Sequence, residues 1–254
     1  MTLQNFDLKE QIRAYWTARA DGFDASPGHC IRSEREFVAY ERLIRRNAPG
    51  LVGGEVIDMA SGTGEVTRLL RRLNCRVTGV DLSERMVDLA RAKHAADKQV
   101  TISQGDAERL LLPDASFDGI VTRNLLWTLT DPDAAFDEWF RVLKPGGTVV
   151  AFEGNWMKPD RLSLILRALS RRLGRKTEVD KPDFTSILAQ LPFGDRLSPA
   201  DVTPRLVKSG FPAPSFHPIG SVTRAQLAQA NWAERLSLLS FSRGRFMLVA
   251  MRPV

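Results

Sequence analysis

Residues 55–65 read EVIDMASGTGE. Val56, Ile57 and Met59 supply the apolar bulk of a short buried strand, and Asp58 interrupts it near its end. Gly62 and Gly64 then let the backbone turn tightly, lie close to a ligand and open a helix. Such a stretch is a place to hold a nucleotide-like molecule. One helix and one strand further on, RVTGV at 76–80 predicts the next strand. Asp81 stands at its carboxyl end, where an acid in a doubly wound sheet accepts hydrogen bonds from both ribose hydroxyls. The two strands and the helix between them make one βαβ unit, and its open end is the predicted crevice.

Before this unit, residues 7–19 predict an amphipathic helix, with Leu8, Ile12, Tyr15 and Trp16 at helical spacing. Gly22, Pro27 and Gly28 break the chain, a second helix is predicted over 34–46, and Pro49-Gly50 with Gly53-Gly54 marks entry into a sheet. Beyond Asp81, strands and helices alternate: a helix N-capped by Ser83 and running to about 96, strands at 100–104 and 117–122, a helix over 130–143, and a KPGG turn leading to a strand at 148–153. This alternation predicts a parallel sheet covered on both faces. It lapses over 156–196, a basic stretch punctuated by Pro159, Pro182 and Pro192 that suits a cap inserted over the crevice. A helix at 198–209, a strand at 216–222, a helix at 223–239 and an apolar strand at 246–251 complete the expectation. The implied organisation is a helical arm (1–50), a Rossmann-like core (51–155), an inserted cap (156–197) and the remainder of the core (198–254).

The 254 residues, 43% hydrophobic, are enough to bury a sizeable core. Net charge is +6, yet Lys and Arg are scattered, and no basic stripe interleaved with aromatics points to nucleic acid. Cys30 and Cys75 fall in no ligand or disulfide spacing, so neither a zinc site nor a disulfide framework is expected. No apolar run approaches membrane-spanning length and the first residues are polar, which predicts a cytoplasmic protein without a membrane span.

Five stretches, in order, resemble the class I S-adenosylmethionine-dependent methyltransferases, in particular the branch containing the ubiquinone/menaquinone C-methyltransferases. They are VIDMASGTGE, VTGVDLSERMVDLAR, ISQGDAERLLLPDASFD, GIVTRNLLWTL and RVLKPGG. The resemblance implies an α/β, Rossmann-like seven-stranded sheet of order 3-2-1-4-5-7-6, six strands parallel and the last antiparallel, with helices on both faces. It implies S-adenosyl-L-methionine as cofactor. Asp58, Ala60, Ser61, Gly62 and Gly64 match the motif under the methionine and ribose parts, with Ala60-Ser61 where members often carry Gly-Cys. Asp81 matches the ribose-binding acid, and Leu82 and Met86 flank the adenine. Gly105, Asp106, Ala107 and Glu108 match the segment that meets the adenine edge. Arg123, Asn124, Leu125 and Trp127 match the segment passing the methionine moiety towards the substrate, and Tyr15, Trp16 and Arg19 the one that folds over the cofactor.

A sulfonium methyl group is already electrophilic, so the protein's main task is to align nucleophile, methyl and sulfur and to exclude water. If a general base is needed, His29 in the SPGHCIRSE loop is the first candidate, because histidine titrates near neutrality. Tyr15 and Glu153 come second, the latter at the carboxyl end of the fifth strand. His29, Trp127, Asn155 and Trp156 are the substrate-side candidates. No carboxylate set suggests a metal. The basic residues of the cap, among them Lys158, Arg161, Arg171 and Arg172, suit an anionic substrate or a solvated helix face. Three alternatives share parts of the pattern. A nicotinamide dehydrogenase needs a third glycine where Thr67 stands. A nucleic-acid methyltransferase needs a base-holding motif where TRNLLWTL stands. A cofactor-binding protein without turnover has the same motifs. The expected reaction is methyl transfer to N, O, C or S of a small organic molecule.

Overall fold

A computed structural model of the chain describes residues 3–154, 161–173, 184–242 and 244–254. Two helices, α1 (Leu3–Arg19) and α2 (Glu34–Asn47), precede the sheet. Then follow β1 (Glu55–Met59), α3 (Glu65–Arg72), β2 (Arg76–Asp81), α4 (Glu84–His94), β3 (Val100–Gln104), β4 (Phe117–Arg123), α5 (Pro132–Val142) and β5 (Leu143–Glu153). The remainder comprises α6 (Arg161–Leu173), α7 (Thr185–Leu188), α8 (Pro199–Lys208), β6 (Ser215–Pro218), α9 (Gly220–Gln229), α10 (Trp232–Ser242) and β7 (Phe246–Met251).

The seven strands form one sheet of order β3-β2-β1-β4-β5-β7-β6. The first five pair in parallel, while β7 runs antiparallel to both β5 and β6. The resemblance implied this arrangement; hydrophobic periodicity alone did not. Alternate residues of each central strand enter different cores, as the pleat requires. Ile57 and Met59 of β1, Val149 and Ala151 of β5 and Leu248 of β7 pack with Phe136 and Trp139 of α5 and with Val202 and Leu206 of α8. Val56, Val150, Phe152, Met247 and Val249 face the other way, onto Tyr40 and Ile44 of α2 and Leu69 and Leu70 of α3. Side chains such as Val56 and Ile57, fully buried, each contribute roughly 1.5–3 kcal/mol relative to exposure. The central strands therefore read as continuous apolar runs.

Local chemistry sets the helix starts. Ser33 Oγ accepts from Glu36 N at 3.2 Å, Ser83 Oγ from Met86 N at 3.3 Å and Asp131 Oδ1 from Ala134 N at 3.1 Å, and Pro132 occupies a first-turn position that needs no N–H partner.

Three expectations need correction. The single helix expected over 223–239 is two helices, because Asn231 caps a new one: its Oδ1 accepts from Glu234 N at 2.9 Å while Glu234 Oε2 accepts from Asn231 N at 3.0 Å. The strand expected to reach residue 222 ends at Pro218, and α9 starts at Gly220. The KPGG segment does not precede β5 but lies within its ladder, where pairing with β4 shifts register between Phe117 and Gly119.

The strand order reverses between β1 and β4, with β2 and β3 on one side and β5 on the other. In such a sheet the crevice opens at the carboxyl ends of the strands flanking that switch point.

Candidate active site

One cavity of about 360 Å³ occupies that crevice, a volume suited to a nucleotide-sized ligand. Its floor is the turn after β1. Ala60 adopts a left-handed φ of 58°, Ser61 N donates to Val80 O at 3.1 Å, and Gly62 N donates to Asp81 Oδ2 at 2.8 Å. Gly64, at φ 83°, has no room for a side chain, since a Cβ there would lie 2.7 Å from His94 Nε2. Thr67, which stands where a dinucleotide fold carries its third glycine, donates its hydroxyl to Asp58 Oδ2 at 2.6 Å. Asp58 is fully buried beneath the turn, and that burial pushes its pKa up to about 7. It does not line the cavity, and neither does Gly64. Both shape the turn from behind.

Asp81 faces the cavity from the end of β2, its Oδ1 accepting from Ser83 N at 2.8 Å. Two backbone donors hold the carboxylate, each oxygen keeps acceptor capacity, and no cation lies against it among the described residues. Burial raises its pKa to about 6. Leu82 and Met86 line the adjoining wall. After β3, Gly105 N donates to Asp81 O at 2.9 Å and brings Asp106 and Ala107 to the cavity.

Here α1 closes one side. Lys9, Ile12, Trp16 and Arg19, spaced along one helical face, all line the cavity. Lys9 Nζ reaches Asp106 Oδ2 at 2.5 Å and Glu108 Oε2 at 2.7 Å. Burial works to lower the Lys9 pKa, but hydrogen bonds and charge from the two acids outweigh it and raise it. Glu108 also accepts from Thr130 N at 2.6 Å, so it fastens α1 to the segment after β4 while lining the cavity.

From β4, Arg123, Asn124, Leu125 and Trp127 line the cavity. Asn124 takes a left-handed φ of 63°, and the amides of Leu125 and Leu126 donate to Glu153 Oε1 at 2.8 and 2.9 Å. Ser61 Oγ and Trp127 Nε1 are buried cavity atoms with no partner among the described residues. Acid for hydroxyls, acid for an amine, apolar walls and free polar atoms fit the donor and acceptor set of a nucleoside-bearing ligand. A methyltransferase domain model matches residues 57–151.

The matched residues run from β1 into β5 and include the turn after β1, Asp81 and Asp106. Over 124 residues the chain is 39% identical to the ubiquinone/menaquinone biosynthesis C-methyltransferase UbiE of Rubrivivax gelatinosus, covering 46% of this chain and 47% of that one. The chain spans about half the length of the curated relatives it matches. An S-adenosylmethionine-dependent methyltransferase from Mesorhizobium loti superposes with a TM-score of 0.60 at 24% identity, over 84% of this chain and 98% of that one. The [4+2]-cyclase SpnF superposes at 0.63 with 18% identity, over 97% of each chain. These two are likenesses of fold.

The three candidate bases occupy different surroundings around the methyltransferase domain. His29 lines the cavity with its ring edge-on to Phe23, centroids 4.2 Å apart, and its carbonyl accepts from Arg123 Nη2. Tyr15, by contrast, points away: its hydroxyl accepts from Arg19 Nη1 at 2.9 Å and its ring packs on Phe184 at 4.4 Å. Glu153 is 1% exposed and does not reach the cavity; burial raises its pKa to about 8, the Leu125 and Leu126 amides working against that rise. It supports the loop that carries Leu125. Asn155 and Trp156 lie outside the described residues.

Sequence reasoning missed several cavity residues. Lys9 was legible, because it shares the helical face of Ile12 and Trp16. Glu65 lines the cavity too; burial alone would raise it, but Lys93, the Ile31 amide and Arg68 hold it down at about 2. Gln226, Leu238 and Arg245 arrive from α9, α10 and the start of β7. Gln226 bridges them to α2, donating to Glu36 Oε1 at 2.7 Å and accepting from Arg245 Nη1 at 2.8 Å. No local signal marks them, since tertiary folding alone brings them to the crevice.

Proposed function

We propose that the protein binds S-adenosyl-L-methionine in this cavity and transfers its methyl group, by in-line displacement, to a nucleophilic N, O, C or S atom of a small organic molecule, releasing S-adenosylhomocysteine. The observation that carries the reading is the convergence of Asp81, the Gly62 amide and Asp106 on one cavity at the sheet's switch point.

The cofactor supplies an electrophilic methyl group on a sulfonium sulfur. Asp81 accepts from the ribose hydroxyls, Leu82, Met86 and Ala107 enclose the adenine, and Asp106 meets its amino edge. Ala60, Ser61 and Gly62 pass beneath the ribose and methionine parts, and Arg123, Asn124 and Leu125 border the methionine end. Glu108, with Lys9, holds α1 against this wall. Trp16 and Arg19 fold over the cofactor, so the arm of residues 1–50 acts as a lid and the segment 156–197 as a cap on the core formed by 51–155 and 198–254. Orientation of the reacting atoms and exclusion of water contribute roughly 7–11 kcal/mol of barrier lowering in such a site. Where the accepting atom carries a proton, His29 takes it; Trp127 lies on the substrate side.

The test is transfer of an isotopically labelled methyl group from S-adenosylmethionine to a panel of small phenols, quinols, amines, thiols and carboxylates, with S-adenosylhomocysteine measured in parallel. Labelled product formed in step with S-adenosylhomocysteine supports the reading. Tight cofactor binding with no transfer to any member, nor to nucleic acid, favours a binding protein without turnover.

A further inference from the structure

Helix α6 carries its residues the wrong way round for a helix packed on a globular body. It meets α10 through Ser170, whose Oγ donates to Ala233 O at 2.8 Å, and Ser163 is only 3% exposed. Leu166 is half-buried, but four other large apolar residues of the helix, Leu162, Leu164, Ile165 and Leu169, are 46, 53, 56 and 44% exposed. Leu162, Ile165 and Leu169, at spacings of three and four, form one stripe. Trp232, which opens α10, is 75% exposed. A soluble helix of this length normally balances its charges, but residues 161–173 contain four arginines and no acid, and Arg161 and Arg172 are exposed. Among the described residues none of α6 lines the cavity, so Arg161 and Arg172 are not placed to receive an anionic substrate there.

We propose that α6 is a docking surface for an anionic lipid bilayer, lying in the plane of the interface with its leucine stripe in the acyl boundary and its arginines among the headgroups. Amphipathic helices with apolar and Lys/Arg-rich faces bind membranes in this way. Two features select this occupant over a second copy of the chain. A two-fold contact through the same patch sets arginines against arginines, whereas anionic headgroups neutralise them. The stripe is also bracketed along the helix by cations, Arg161 four residues before Ile165 and Arg172 three after Leu169. At 13 residues α6 is too short to span a bilayer, and no described helix is long and apolar enough to do so. Because Leu238 of the adjoining α10 lines the cavity, docking puts the cavity one helix away from the lipid surface.

The experiment is co-sedimentation of the full chain with phosphatidylglycerol–phosphatidylcholine vesicles and with pure phosphatidylcholine vesicles, at low and high salt. Two double variants accompany it, Ile165→Asp with Leu169→Asp and Arg161→Glu with Arg172→Glu, each checked for folding by circular dichroism and for association by light scattering. Expected is binding to the anionic vesicles that weakens with salt and falls at least about tenfold in the arginine variant and in the stripe variant. S-adenosylmethionine affinity should be unchanged in both, so the outcome is read independently of the proposed activity. Absence of binding to anionic vesicles, or binding indifferent to both variants, overturns the proposal. So does a dimer that dissociates in the stripe variant while vesicle binding persists, which assigns the patch to a second copy. Should the stripe variant fail to fold, the arginine variant decides alone.

Discussion

Asp81 concentrates the cofactor reading in one side chain. Its carboxylate is positioned by the Gly62 and Ser83 amides, and burial lifts its pKa to about 6. Hydroxyl donors favour the ionised form, so S-adenosylmethionine affinity should be greatest above pH 6 and decline as the pH falls below it. Isothermal titration between pH 5 and 8 measures this, and a flat profile contradicts the ribose assignment. Asp81→Ala should weaken binding at any pH by about 1.5–3 kcal/mol, the worth of hydrogen bonds to a charged group. His29→Ala should reduce methyl transfer by about 10²-fold where the acceptor must lose a proton, with cofactor affinity retained. Unchanged turnover on such an acceptor removes His29 as the base.

The behaviour of Glu153 with pH has the same origin, burial, but it is read in stability rather than in ligand affinity. Its carboxyl is buried, with a folded-state pKa near 8 against an ordinary 4.5, so the folded protein holds a proton that the unfolded chain releases. Between those values stability therefore falls as pH rises. Glu153→Gln keeps an acceptor for the Leu125 and Leu126 amides without the proton. It should match the parent near pH 5 and exceed it by about 1–3 kcal/mol above pH 8 in urea unfolding. A variant less stable at every pH shows that the charge itself is needed.

At the scale of elements, α1 is anchored by Lys9, whose side chain is 10% exposed between Asp106 and Glu108. Lys9→Met leaves two adjacent acids without their cation and should cost about 2–3 kcal/mol, less than a fully buried pair because Asp106 keeps some solvent. The urea midpoint reports the loss; a shift under 0.5 kcal/mol, the scale of ordinary surface changes, means α1 docks by its apolar contacts with Phe184 and Ile187. Elements with strong local signals were legible in the sequence. β3 and β7 match their expected bounds, and Ser33, Ser83 and Asp131 mark helix starts by cap chemistry. The division of α9 from α10 was also written in the chain, as Asn231 followed three residues later by Glu234, but the apolar residues on both sides masked the cap. Tyr15 shows the limit of such reading. Helical spacing places it on α1 beside Trp16, and both rings pack against Phe184, yet Trp16 lines the cavity and Tyr15 does not.

For the whole molecule, periodicity gives an α/β class but not an order of strands, because every buried parallel strand carries the same apolar signal. The order came from the five motifs together. The floor of the site was legible for a related reason: its residues lie within a few positions of the strand ends that display them. The far wall was not. Gln226, Leu238 and Arg245 come from α9, α10 and the residue before β7, far along the chain from the motifs. The SpnF likeness shows that this fold also serves a protein named for cyclisation.

The most direct test of the central claim is calorimetric titration of the full chain with S-adenosylmethionine, S-adenosylhomocysteine and NADH. The expected result is saturable binding of both sulfur compounds, lost or strongly weakened in Asp81→Ala, and none of NADH. Binding of NADH, or of neither sulfur compound, contradicts the account.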